Sequence, residues 1–187
     1  DPQHYGIGLK ELWEIDPAKH EEGMVLHGSG WPLSETHSNG GWWLYFDENN
    51  QVSFGMVIDL AYHNPYLSPF DELQRLKTHP LIRNILEGGK RLSYGARALT
   101  KGGLNSLPKL YFAGGVLVGD DAGFLNPAKI KGTHTSIKSG MLAAEAIYEA
   151  IAAGRQHDEV ASYEQKFKAS WLYNDMYAAR NFATAMH

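Results

Sequence analysis

Leu110 to Ile151 reads L-Y-F-A-G-G-V-L-V-G-D-D-A-G-F-L-N-P-A-K-I-K-G-T-H-T-S-I-K-S-G-M-L-A-A-E-A-I-Y-E-A-I. Its first ten residues are aliphatic, aromatic or small and carry no charge. Such a run is how a strand buried on both faces reads, and it stops abruptly at Gly119-Asp120. A glycine-containing loop follows, and Gly132-Thr133-His134-Thr135-Ser136 then opens a helix. Ile137, Met141, Ala144, Tyr148 and Ile151 recur at the spacing of one helix face, so this stripe is expected to pack on a sheet. The first turn of a helix offers unpaired N–H groups and a partial positive charge, which attract phosphate. Gly123 and Gly132 allow close main-chain approach, and Lys129 and Lys131 add positive charge nearby. Asp120, at the end of the expected strand, is suited to accept hydrogen bonds from ribose hydroxyls, or equally to cap a turn. The stretch therefore reads as a site for a phosphorylated or anionic ligand, with a nucleotide favoured.

The chain upstream reads differently, as strands over residues 1 to 67. Ile7, Leu9, Trp13 and Ile15 share one parity, with Lys10 and Glu14 on the other, until Asp16-Pro17 ends the run. Met24 to His27 is a short second strand. A hairpin follows, with Gly41 to Phe46 outbound, Asp47-Glu48-Asn49-Asn50 as the turn, and Val52, Phe54, Met56, Ile58 and Leu60 on one face of the return strand. This alternation predicts a half-buried antiparallel sheet. Before the hairpin, residues 28 to 41 form a Gly/Ser/Asn-rich loop ending in Gly40-Gly41. Ser68 as N-cap, Pro69 at the first position and Asp71-Glu72 in the first turn predict a helix that ends before Pro80. A shorter helix follows on Leu81, Ile82, Ile85 and Leu86, stopped at Gly88-Gly89. Lys90 to Leu99 reads as a strand and turn whose polar features are Arg91, Tyr94 and Arg97; an arginine paired with a buried carboxylate is the expected role. A last helix, about Glu159 to Phe182, is loaded with Tyr163, Phe167, Trp171, Tyr173 and Tyr177.

Composition narrows the function classes. With 187 residues, 43% hydrophobic and 20% charged, the chain can bury a core in one or two domains. A net charge of -4 lacks the basic footprint of a nucleic-acid binder. The absence of cysteine excludes disulfides, thiolate nucleophiles and thiolate-held clusters from these residues. No run approaches the about 18 to 20 apolar residues of a membrane span, so membrane contact is expected to be interfacial. The histidines form no H-x-x-x-H or H-E-x-x-H pattern, and no G-x-S-x-G elbow is present, so no metal site and no catalytic residue is assigned. His134 is expected to pack or cap rather than act as a base.

Three segments carry a resemblance: Y-H-N-P-Y-L-S-P-F (62 to 70), L-E-G-G-K-R-L-S-Y-G-A-R-A-L (86 to 99) and N-P-A-K-I-K-G-T-H-T-S-I-K-S-G-M-L-A-A-E (126 to 145). In the same order over essentially the whole chain, they resemble electron transfer flavoprotein-ubiquinone oxidoreductase. The resemblance implies an α+β fold: an antiparallel quinone-binding sheet with helices, plus the C-terminal half of an FAD-binding, glutathione-reductase-like domain. It implies a ubiquinone-binding domain over 1–87, an FAD-binding portion over 88–153, and a C-terminal aromatic helix over 154–187 returning to the quinone-binding domain. That helix then lies by the quinone pocket and membrane face; its aromatic loading alone reads equally as a core helix. FAD is expected against Gly119, Asp120, Gly123, Phe124, Asn126, Gly132, Thr133 and Thr135, and ubiquinone against Gly40 and Gly41. Where the family position before the glycine pair is often aromatic, this chain has Asn39, and a simple turn explains the pair equally well. The implied partners are electron transfer flavoprotein, ubiquinone and a membrane surface, the protein being peripheral on a bacterial or mitochondrial inner membrane.

Two features of the family are missing here: a G-x-G-x-x-G after a strand near the start, and the four cysteines that hold a [4Fe-4S] cluster. The chain, opening on Asp1-Pro2, reads as an internal piece expected to be inactive and to bind FAD weakly or not at all on its own. Two other readings share its elements. One is a geranylgeranyl-reductase-like or hydroxylase-like flavoenzyme acting on a lipid; the other is a non-redox module holding a lipid or peptide in its sheet.

Overall fold

A computed structural model describes residues 2–185, so the outer limits of the expected domains, 1 and 187, lie outside the described residues. The chain divides into two compact units, residues 6–98 and the remainder on either side.

In the first unit, β1 (Tyr5–Glu14), β2 (Val25–Gly28), β3 (Gly40–Phe46), β4 (Gln51–Asp59) and β5 (Lys90–Thr100) form one sheet in the order β2-β3-β4-β1-β5. The β2/β3, β3/β4 and β4/β1 pairs are antiparallel. The expected hairpin is present: Leu44 faces Phe54 and Phe46 faces Val52 across β3 and β4. Asn49 and Asn50 take the positive φ that its tight turn requires. Val52, Phe54, Met56 and Ile58 are buried, whereas Leu60 lies beyond the strand and is exposed. The chain returns over that apolar face as α1 (Pro69–Leu76) and α2 (Pro80–Leu86), which contribute Leu73, Leu76, Ile82 and Leu86 to the same core. Asp71 N–H donates to Ser68 Oγ at 3.3 Å, the cap expected from the sequence.

A carboxylate is buried in this core. Glu11 stands on the covered face of β1 and is 2% exposed. Lys77 Nζ donates to both of its oxygens at 3.0 Å, Arg91 Nη1 to one at 3.3 Å, and Trp13 Nε1 to the other at 2.8 Å. Arg91 thus takes the buried-carboxylate role expected of it and ties β5 to β1.

The second unit corrects three expectations. Residues 110–119 are not one doubly buried strand. They fold as a two-stranded ribbon, β6 (Tyr111–Phe112) and β7 (Gly115–Val116), turned at Ala113-Gly114, with Phe112 and Val118 exposed. No described strand of this unit lies beside the ribbon, so its composition is not matched by burial. Next, α4 (Thr133–Ala152) turns its small side chains inward: Thr135, Ser139, Leu142, Ala143, Ala146 and Ala150 are buried. The stripe expected to pack is instead open, with Ile137 61%, Met141 52%, Tyr148 74% and Ile151 59% exposed. Finally, the single aromatic helix is three: α5 (Ser162–Lys168), α6 (Trp171–Ala178) and α7 (Phe182–Ala185). Ser170 takes an extended backbone between the first two while its hydroxyl bonds Phe167 O at 2.7 Å.

Tyr163, Phe167, Leu172 and Met176 share one core with Leu110, Ala122, Phe124 and the small face of α4. Burial pushes the Tyr163 phenol up to about 12, and its hydroxyl donates to Leu117 O at 3.1 Å. The compact units place β5 up to Ala98 with the sheet and residues 154–185 with residues 99–153.

Candidate functional site

Six of the eight residues expected around a nucleotide lie in the segment joining the ribbon to α4, and the other two, Thr133 and Thr135, lie in the first turn of that helix. Gly119 opens a short helical turn, α3 (Gly119–Ala122), at φ 61°, and its N–H donates to the buried Ser139 Oγ at 2.9 Å. A side chain there would be strained in φ and would press on Ser136, 3.2 Å from its β-carbon. Asp120 is exposed; its main-chain carbonyl accepts from Thr100 Oγ1 at 2.9 Å, leaving the carboxylate at the surface. Gly123 closes the turn at φ 95°.

The next residues turn inward. Phe124 is fully buried, edge-on to Phe167 with ring centroids 5.2 Å apart. Asn126 is 1% exposed; its Oδ1 accepts from Ala128 and Lys129 N–H, and its amide donates to Asp175 Oδ2 at 2.8 Å. Thr135 is fully buried and its hydroxyl returns to Gly132 O at 2.7 Å. These three side chains build the loop from within, leaving only their main chain to offer a ligand.

The outer surface is made by Asp120, Gly132 and Thr133. Gly132 is the N-cap of α4 and supplies no side-chain cap, so the first-turn N–H groups meet no capping oxygen from it. A β-carbon at 132 would lie 2.8 Å from Asp120 Oδ1, so only glycine lets the Asp120 carboxylate lie against the helix start. That juxtaposition also satisfies the dipole of α4, which fits the bland reading of Asp120 as well as the ribose-binding one.

Asp175, on α6, organises this loop and was not legible as a functional residue. It pairs with Lys129, holds the Asn126 amide and lies 3.7 Å from His134 Nε2. The Lys129 ammonium holds its carboxyl below the usual carboxylate range. His134 stacks on Trp171, rings 8° from parallel with centroids 6.1 Å apart, and so packs as expected. Asp175→Asn keeps an oxygen for Asn126 but loses the ion pair. Because the folded pKa lies below the ordinary 3.8, the stabilisation is present above that value and lost as pH falls through the folded one. The variant is expected to cost about 0.5 to 1 kcal/mol at pH 7 and less at a pH below the ordinary 3.8, where the carboxylate begins to protonate. Chemical denaturation at the two pH values checks this; an equal cost at both would rule out the ion pair as its source.

Gly40 and Gly41, the expected quinone contacts, lie in the other unit. They are not in a loop: they open β3, paired with Ile58 and Val57. A β-carbon on Gly40 would meet Val57 O at 2.3 Å and Leu33 Cδ1 at 2.5 Å; one on Gly41 would meet Gly28 O at 2.9 Å. Close packing within the sheet therefore already demands glycine at both, while the exposed strand start leaves bare main chain open to a ligand. Among the described residues no group of three or more His, Asp or Glu is placed to hold a metal. No described helix is long and apolar enough to cross a membrane.

A mixed fold of an antiparallel sheet with packed helices is shared with two solved structures. One is a geranylgeranyl bacteriochlorophyll reductase-like protein from Thermoplasma acidophilum, at TM-score 0.67 and 21% identity over 89% of this chain and 39% of that one. The other is the flavin-dependent brominase Bmp2, at TM-score 0.56 and 18% identity over 86% and 40%. These likenesses show the fold alone. Residues 5–99 match the family model described as ETF-QO, ubiquinone-binding, and the chain belongs to that family.

Relatives agree over the whole chain. A probable electron transfer flavoprotein-ubiquinone oxidoreductase of Acinetobacter baylyi is 63% identical over 100% of this chain and 36% of its own length. The enzyme of Pseudomonas aeruginosa is 62% identical over 100% and 34%, and the human mitochondrial one 50% over 100% and 31%. The chain spans about a third of the length of these curated relatives.

Proposed function

We propose that this chain is the ubiquinone-binding portion, with the C-terminal half of the FAD-binding portion, of an oxidoreductase that passes electrons from reduced electron transfer flavoprotein to ubiquinone. The observation that carries the proposal is the family match over residues 5–99, whose sheet contains Gly40-Gly41. FAD and a [4Fe-4S] cluster are the implied redox groups, and they supply the electron transfer itself.

The residues present fit the phosphate and ribose end of FAD. Gly132 gives the N-terminus of α4 no side-chain cap, a β-carbon at 132 would crowd the Asp120 carboxylate at 2.8 Å, and Asp120 offers an exposed carboxylate for hydroxyls. Gly119 and Gly123 shape this turn, and Phe124, Asn126 and Thr135 support it from inside, contributing main chain. For the cluster no ligand is at hand, because the sequence has no cysteine. In the sheet, Gly40 and Gly41 offer main chain to a quinone head. Work at an inner-membrane surface, with a peripheral protein, follows from the quinone.

The absorption spectrum of the full-length parent protein tests the reading. Flavin bands with a broad iron-sulfur absorbance, bleached by reductant and restored by a quinone analogue, are expected. Flavin bands alone would favour a lipid-modifying flavoenzyme, and no chromophore a binding module. In the same preparation Asp120→Ala is expected to weaken FAD retention about tenfold or more, the loss of one or two hydrogen bonds to a charged group. Unchanged FAD content after dialysis would leave Asp120 as a turn residue only.

A further inference from the structure

β2 and β3 are antiparallel neighbours with Gly28 opposite Trp42, yet residues 29–39 lie between them where a hairpin needs about two to five. That excursion is folded. Leu33–Thr36 form a single 3-10 turn, in which Ser38 N–H donates to Leu33 O at 3.0 Å and Thr36 Oγ1 to the same oxygen at 3.2 Å; Ser34 N–H donates to Gly30 O at 3.0 Å. The inner end of the turn is Leu33, which is 3% exposed and belongs to the core of the first unit. Its Cδ1 lies 2.5 Å from the place a β-carbon on Gly40 would take. Leu33 therefore closes one flank of Gly40, whose main chain is the exposed start of β3.

The outer end of the turn is tied to α1. Arg75 donates from Nη2 to Glu35 in the turn, and from Nη1 to both oxygens of Glu72 on its own helix at 3.0 and 3.1 Å. Glu35 also accepts from Trp31 Nε1 at 2.9 Å. The Trp31 ring lies against the guanidinium, 5.6 Å from Cζ to the ring centroid, and its other neighbour is the His79 ring at 6.0 Å. Glu72, with 9% of its side chain exposed, holds one arm of Arg75 on α1, and the second arm reaches the loop. A planar fork can hold two carboxylates and an indole at once, which an ammonium cannot. Resting on the reading of Gly40-Gly41 as quinone contacts, we infer that Arg75, through Glu35 and Trp31, is a positioning residue for quinone binding. It keeps the 29–39 loop docked so that Leu33 stays against Gly40 and sets the opening beside the Gly40-Gly41 main chain. The tie itself is exposed, Arg75 by 40% and Glu35 by 52% of their side chains, so its loss loosens the loop without unfolding the sheet.

Glu35→Ala removes the loop's half of the tie and leaves the Arg75–Glu72 pair in place. In the full-length parent it is expected to raise the KM for a short-tailed ubiquinone analogue about five- to tenfold, because the binding-competent loop is populated less. The kcat is expected to stay within about twofold, the mark of lost binding rather than lost chemistry. Reduction of ferricyanide, which needs no quinone pocket, is expected to be unchanged, and the melting temperature to move by less than about 2 °C. Arg75→Lys keeps the charge but not the fork and is expected to raise KM likewise. In about 1 M salt, where the Debye length falls to about 3 Å, the ratio of variant to wild-type KM is expected to shrink towards one. A Glu35→Ala KM equal to that of a quinone-reducing wild type overturns the inference. So does a rise that high salt leaves undiminished, or one that comes with a fall of more than about 5 °C in melting temperature, since packing would then be its source. A parent that reduces no quinone sinks the functional reading and this inference with it, so the two failures are told apart.

Discussion

Glu11→Ala is expected to destabilise the first unit by about 3 to 5 kcal/mol, the cost of removing one member of a buried ion pair. The carboxylate is 2% exposed and the Lys77 side chain only 17% exposed, so the ammonium left behind cannot reach full hydration without moving α1. The Trp13 indole N–H loses its acceptor as well. Arg91, with 42% of its side chain exposed, swings into water at little cost, so the penalty falls mainly on Lys77. Urea titration followed by tryptophan fluorescence reads the effect, since Trp13, Trp31, Trp42 and Trp43 all lie in the first unit. The diagnostic variant is the double replacement Glu11→Leu with Lys77→Met, which removes both charges and fills the space. It is expected to recover most of the loss, because an apolar pair of similar volume is often as stable as a buried salt bridge. If the double variant is as unstable as Glu11→Ala, the cost comes from packing and the ion-pair account fails.

Glu11 also shows where sequence reading stops. Its parity on β1 is that of Leu9 and Trp13, and it reads as an interruption of the apolar face. Its partners Lys77 and Arg91 stand 66 and 80 positions away, beyond any local pattern. The hairpin of β3 and β4 and the Ser68 cap were legible because their causes lie within a few residues: alternating hydrophobicity, a positive-φ turn, a hydroxyl three residues before an amide, although β4 is buried on both faces where the alternation predicts one. Asp175 was invisible for the opposite reason, since the loop it anchors precedes it by 49 residues. The break at Ser170 carries neither Gly nor Pro, so the aromatic pattern ran on through it. The two misread burial patterns, the ribbon and the α4 stripe, share one physical cause. Composition records what a segment is suited to touch, whereas burial records what these residues alone supply.

Phe124→Ala is expected to cost about 3 to 5 kcal/mol in the second unit, although the resemblance assigns the position to flavin contact. The ring is fully buried, packs edge-on to Phe167 and lies in the core with Ala122, Leu142 and Tyr163. Its removal leaves a cavity that neither the short α3 turn nor the rigid small face of α4 can close. Phe124→Leu keeps most of the apolar volume and is expected to recover at least half the loss. The two roles separate in this chain without cofactor. A flavin-contact residue would be dispensable there, and thermal unfolding of Phe124→Ala would match the parent sequence within about 1 °C; a core residue lowers the transition by on the order of 10 °C. The second outcome would make the loop between ribbon and α4 a rigid platform, seated on Phe124 and pinned by Asp175, which holds Asp120 and the main chain of Gly132-Thr133 ready for an anionic ligand.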